Sequence, residues 1–208
     1  MFAMQPSAWR NAWGHCILNA KADDRQLPLP AREFLSTYGL PSVVIFESDN
    51  SFEISFLPLT KELVAYSSLV RWGDFFNESL DREWAQQLVI GDEDFCNGSA
   101  SYCVHRAKGH VSRIDCELES SQSLVNSTVE LFGMSLFVAR EWSADLVTHQ
   151  TALTADSVRD LAERLKSVDA ETYETENSFW PGLIEFILDG ERLNWEITND
   201  PTRSKPRF

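Results

Sequence analysis

Residues 125–142 read VNSTVELFGMSLFVAREW. Ser127 and Glu130 stand at S-x-x-E spacing, in which a hydroxyl and a carboxylate would each satisfy a backbone donor at a helix start. Beyond them Val129, Phe132, Leu136 and Phe137 line one apolar face, and Leu131, Met134, Val138 and Trp142 line another. A helix apolar on two faces is driven into the middle of a domain. This one is expected to lie across a sheet, and the sheet has to come from the flanking sequence.

Upstream, ASYCVHRAKGHVSRID (100–115) reads as a hairpin. Two β-rich arms meet at Ala107-Lys108-Gly109, where glycine supplies a positive φ. Before it, QQLVIGDED (86–94) reads as a strand running into an acidic turn, and CELESSQS (116–123) as a polar connector after it. Further back, SVVIFES and SFEISF flank a turn at SDN. In the second, Phe52, Ile54 and Phe56 alternate with polar residues, so the pair reads as another hairpin. PAREFLSTYGLP (30–41) is a short helix with a hard stop. Pro30 suits its first turn, Gly39 its left-handed end, and Pro41 forbids continuation.

The remaining segments fill in around these. TKELVAYSSLV (60–70) reads equally as helix or strand, and RWGDFFNESLDREWAQ (71–86) as loop plus a helical turn. TADSVRDLAERLKS (154–167) is an amphipathic helix, with Thr154 as N-cap, a Leu153–Val158 staple, and Val158, Leu161, Ala162 and Leu165 on one face. Pro181 opens a last helix that Gly190 closes, and Leu193, Trp195 and Ile197 suggest a short final strand. Strands and helices mix without regular βαβ alternation. The expected fold is therefore α+β: a single domain with a mainly antiparallel mixed sheet and helices packed across one face. Residues 1–26 read as an N-terminal arm, 27–200 as the domain, and 201–208 as a basic tail.

Charge is uneven. The 208 residues carry a net −14. Residues 74–94 hold seven acids against one base, and residues 141–200 hold fourteen against four. Such a field repels nucleic acid and anionic membrane and attracts basic partners, although acidity also serves plain solubility. The start of the chain lacks a basic n-region followed by an apolar h-region, and no apolar run is long enough to span a bilayer. The sequence is thus read as cytoplasmic.

Chemistry is hard to find. There is no nucleophile elbow, Walker loop, H-E-x-x-H or G-x-G-x-x-G, so no catalytic residue and no cofactor is assigned. Cys96, Cys103, His105, His110 and Cys116 have the residue types zinc prefers, but no C-x₂₋₄-C pair anchors them. The register across Lys108-Gly109 decides whether His110 joins Cys103 and His105. Asp92-Glu93-Asp94 with Asp74 lacks the alternating oxygen ligands and the glycine of a calcium loop. No metal is assigned at either place. Trp72 beside Asp74 suits an interface, where aromatics anchor binding, or equally a core.

Three segments together resemble a known family: LPLPAREFLSTYGLP, then LVIGDED followed by YCVHRAKGHVSRID, then LVNSTVELFGMSLF. With Asp169-Ala170 and Phe179-Trp180 before the last helix, their order and spacing resemble the SUKH superfamily (Syd/Knr-like), closest to its fourth, immunity-protein subfamily. The resemblance spans residues 27–192. Cys103, His105 and His110 depart from the residues expected in the hairpin. The resemblance implies a non-catalytic bacterial immunity protein that neutralises a cognate toxin, often a nuclease, by direct binding. The alternative it leaves is a regulatory or scaffold binding module on the same fold. A nuclease toxin would present a basic surface, and the expected contacts are Trp72, Asp74, Asp92, Glu93 and Asp94. Oligomeric state is not assigned.

Overall fold

Alternating β-rich segments in the middle of the chain produce one six-stranded sheet. The computed structural model describes residues 4–14, 16–17, 26–46, 52–56, 63–69, 82–95, 98–115, 121–149 and 154–189. Within these, β3 (Val43–Phe46), β4 (Phe52–Phe56), β5 (Gln87–Phe95), β6 (Gly98–His105), β7 (Val111–Asp115) and β8 (Gln122–Asn126) lie side by side in chain order. Every ladder described is antiparallel, so the mixed character expected of the sheet is absent from the described ladders. Both anticipated hairpins are present. Gly109 at the tip of the second takes φ 78°, the conformation for which glycine has no steric penalty.

Two parts of the sheet differ from expectation, and a third resolves a segment left open between helix and strand. The acidic run is not a turn. Asp92, Glu93 and Asp94 continue β5 and pair with Ser55, Ile54 and Glu53 on one side and Ser101, Ala100 and Ser99 on the other. Ladders on both sides satisfy their backbone groups, and that outweighs the poor strand propensity of acidic residues. The polar connector ends in β8, an edge strand whose first residues are exposed or half-buried, so it carries no apolar alternation to read. The ambiguous segment around residue 65 forms a bridge, Ala65 to Leu88, and then a short helix, α3 (Tyr66–Leu69).

One face of the sheet carries the main core. Leu88, Ile90, Tyr102, Val104, Val111 and Val125 join Phe132, Leu136 and Trp142 of the long helix α4 (Val129–Thr148) in a single buried cluster. That is the crossing helix expected from its two apolar faces. Tyr102 and Phe132 stack with ring centroids 5.7 Å apart. Its start differs in detail. Thr128, not Ser127, caps it by accepting from Leu131 N–H at 3.1 Å, while Ser127 N–H donates to Asp169. The opposite face holds a smaller cluster of Tyr66, Trp84, Val89, Cys103 and Ile114.

The helix α2 (Leu29–Thr37) ends as its sequence dictates. Gly39 turns at φ 72°, and its N–H returns to the Phe34 carbonyl. Preceding it, the stretch read as an arm is tied into the domain. The helix α1 (Pro6–Trp13) inserts Trp9, fully buried, against Phe34, Tyr38 and Phe137. Trp9 Nε1 also donates to the Gly39 carbonyl at 3.2 Å. The strand β1 (Cys16–Ile17) pairs with β2 (Leu40–Pro41). Two tryptophans at i, i+4 are an amphipathic signal that eight residues of otherwise polar sequence obscure.

After α4 come α5 (Ala155–Val168), α6 (Ala170–Tyr173) and α7 (Phe179–Asp189). Thr154 caps α5 as expected, in a reciprocal box with Ser157. The last helix starts at Phe179, two residues ahead of Pro181. The anticipated strand at Leu193, Trp195 and Ile197 and the basic tail lie outside the described residues.

Candidate functional site

The three helices after α4 bury their apolar stripes and leave their carboxylates in water. On α5, Val158, Leu161 and Leu165 are buried, which places Asp156, Asp160 and Glu163 outside. The bases of this region are each engaged. Arg159 pairs with Asp156 at 2.6 Å, and Arg164 with Asp160 at 2.8 Å and Asp145 at 3.8 Å. Lys166 pairs with Glu174 at 2.9 Å, and that contact holds its ammonium above its ordinary pKa. Exposed Glu163, Glu171, Glu176 and Glu185 make no ion pair among the described residues.

Tyr173 sits among these charges. Burial raises its hydroxyl pKa first, Glu163 and Glu185 raise it further, and Lys166 opposes them. On the same helices Phe186 and Leu188 are 44% and 40% exposed. The region therefore offers uncompensated carboxylates beside exposed apolar side chains, an arrangement able to pair with a cationic protein surface.

Of the residues expected to touch the partner, Asp92, Glu93 and Asp94 fall within the described residues. Trp72 and Asp74 lie outside the described residues. Asp92 is half-buried in β5 and accepts a hydrogen bond from Ser101 Oγ at 2.8 Å. Burial raises its carboxyl pKa, and the Ser101 hydrogen bond opposes that. Glu93 and Asp94 follow in the same strand, so the backbone of this run is held by the sheet.

The cysteine and histidine residues of the hairpin separate by environment. Cys103 is fully buried beneath Tyr66 and Trp84, and burial pushes its thiol far above the usual range, with Asp92 adding to it. His105 faces His110 instead, ring centroids 4.9 Å apart. Cys96 and Cys116 lie outside the described residues. Among the described residues no group of three or more His, Cys, Asp or Glu is placed to hold a metal, and no helix is long and apolar enough to cross a membrane.

A second polar cluster is structural, and its residues are visible in the sequence while their contacts are not. Asn126, at the end of β8, donates from Nδ2 to Ser135 Oγ (3.1 Å) and Asp169 Oδ2 (3.2 Å), and its Oδ1 accepts from Trp180 Nε1 (3.0 Å). Asp169 Oδ2 also accepts from Ser127 N–H at 2.7 Å, and its Oδ1 from Thr172 N–H at 3.4 Å. One amide thus ties the sheet edge to α4, to α7 and to Asp169 at the junction of α5 and α6.

Compared with known proteins, the chain matches the family described as SUKH-4 immunity protein over residues 10–186. The match begins inside α1 and ends inside α7, so it takes in the crossing helix, the hairpin and the Asn126 cluster. No curated protein and no solved structure matches.

Proposed function

This chain belongs to the SUKH-4 immunity protein family, and we propose that it binds and neutralises a cognate protein toxin by occlusion, without catalysis of its own. The observation that carries the reading is the match across residues 10–186. A partner with a basic surface, such as a nuclease whose cleft is built for phosphates, fits a chain of net charge −14. The same charge opposes direct contact with nucleic acid. The neutralising encounter would take place in the cytoplasm, against a toxin of a polymorphic or contact-dependent system.

Two acidic surfaces are proposed for the contact. One is the set of exposed carboxylates Glu163, Glu171, Glu176 and Glu185 on the C-terminal helices. The other is the set read from sequence, Trp72, Asp74, Asp92, Glu93 and Asp94. Co-expression with a candidate toxin, beginning with the product of the adjacent gene, tests the function. Growth restored by the intact protein supports neutralisation, and arrest that continues despite soluble, folded protein removes it. Reversing the two acidic sets separately then assigns the surface.

A further inference from the structure

We propose that His105 and His110 form an acid-sensitive clasp that holds the tip of the β6–β7 hairpin against the start of α2. The geometry is built around one nitrogen. His105 Nδ1 accepts from the backbone N–H of Ala107 at 3.1 Å and of Lys108 at 3.2 Å. An imidazole nitrogen that accepts two hydrogen bonds carries no proton, so the neutral ring is the Nε2–H tautomer. The backbone closes the same turn. His105 N–H donates to the His110 carbonyl at 2.9 Å, and Gly109 N–H donates to the His105 carbonyl at 2.8 Å. This turn holds Gly109 at φ 78° close to Pro28: a β-carbon added there would meet Pro28 Cγ at 3.3 Å. The turn that His105 caps thus lies beside Pro28, the residue that precedes α2.

Protonation attacks this arrangement in two ways. A proton on Nδ1 converts the shared acceptor into a donor and opposes both backbone N–H groups. A second imidazolium would then face the first across 4.9 Å. Among the described residues, the charged and titratable groups that act on the pair are these. Lys108, on the turn itself, acts against protonation of both rings, His105 disfavours protonation of His110, and Glu83 is the carboxylate that opposes these effects at His105. Strand β5 places uncharged Gln87 opposite His105, and α2 contributes Pro28.

Burial is the largest cause lowering both histidines, and His110 falls from 6.5 to about 4. The sign follows from linkage. A folded-state pKa below the unfolded value means that the unfolded chain binds more protons in between. The contribution is therefore intact above pH 6.5 and is lost as pH falls toward about 4.

Imidazole NMR titration of the intact protein tests the clasp directly. Expected are an unprotonated Nδ1 on His105 at neutral pH, titration of both rings below 6.5, and His110 titrating near 4. A His105 protonated at Nδ1 in the neutral folded protein, or either ring titrating at or above 6.5, overturns the proposal. A stability comparison gives the second reading. His105→Asn keeps a side-chain acceptor for the turn without a titrating group, and His110→Gln removes the facing charge. The urea midpoint of the parent should fall more steeply between pH 6.5 and 4 than that of the double variant, and parallel profiles would refute the clasp.

Discussion

Asn126 uses both amide hydrogens and its carbonyl on three partners far apart in the chain, Ser135, Asp169 and Trp180, all buried. Removing such a side chain leaves Trp180 Nε1 without its acceptor and the Asp169 carboxylate with one donor fewer, both buried. Asn126→Ala should therefore cost on the order of 3 kcal/mol of unfolding free energy, measured by urea denaturation, whereas an exposed polar-to-alanine change costs less than about 0.5 kcal/mol. Cys103 makes a second case at this scale. Fully buried and held as a neutral thiol, it should resist a thiol reagent in native buffer and react at once in denaturant. These residues were only partly legible. The VNS run was visible as a motif, but Asp169, the partner of Asn126, stands 43 positions away, and no local pattern announces so distant a contact. Ser127 and Thr128 are adjacent hydroxyls, and the S-x-x-E spacing favoured the one that the tertiary structure uses differently.

Among elements, the approach of α2 to α4 depends on a missing side chain. A β-carbon at Gly133 would lie 2.6 Å from Phe34 Cζ and 3.4 Å from a ring carbon of Trp9. Gly133→Ala gains up to about 1 kcal/mol of helix propensity, but it must displace a buried aromatic ring. A net loss of about 1–3 kcal/mol is expected, since overpacking a close-packed core costs that much. Thermal unfolding decides it, and a variant more stable than the parent would mean that α2 can slide away freely. The central helix and both hairpins were legible because each combines a clear period with a capping or turn residue. The edge strand β8 and the helix α1 were not. The first is polar where it faces water, and the second depends on two tryptophans whose partners come from α2 and α4.

At the scale of the whole molecule, charge rather than shape is what a partner meets first. If toxin capture is steered by the acidic surface, its association rate should fall by at least about tenfold between low and high salt, with a smaller change in dissociation. Reversing Glu163, Glu171, Glu176 and Glu185 should slow association likewise and leave unfolding little changed, since all four are exposed. Association unaltered by both manipulations would move the contact to apolar surface. Composition revealed the acidity of the region but not its arrangement, because only the helix periodicity, once anchored by Val158, Leu161 and Leu165, separates carboxylates facing water from those already paired.

The strands of the sheet follow one another in chain order, so each can join its predecessor as the polypeptide leaves the ribosome. The amide of Asn126 gives that sequence a late step, because Trp180 is the last of its partners to be synthesised. A nascent chain halted before residue 180 would carry the six described strands of the main sheet and the crossing helix, yet hold an open junction at the sheet edge. Closure of that junction thus depends on one tryptophan, and truncations that stop short of it should be degraded in cells while those just beyond α7 persist.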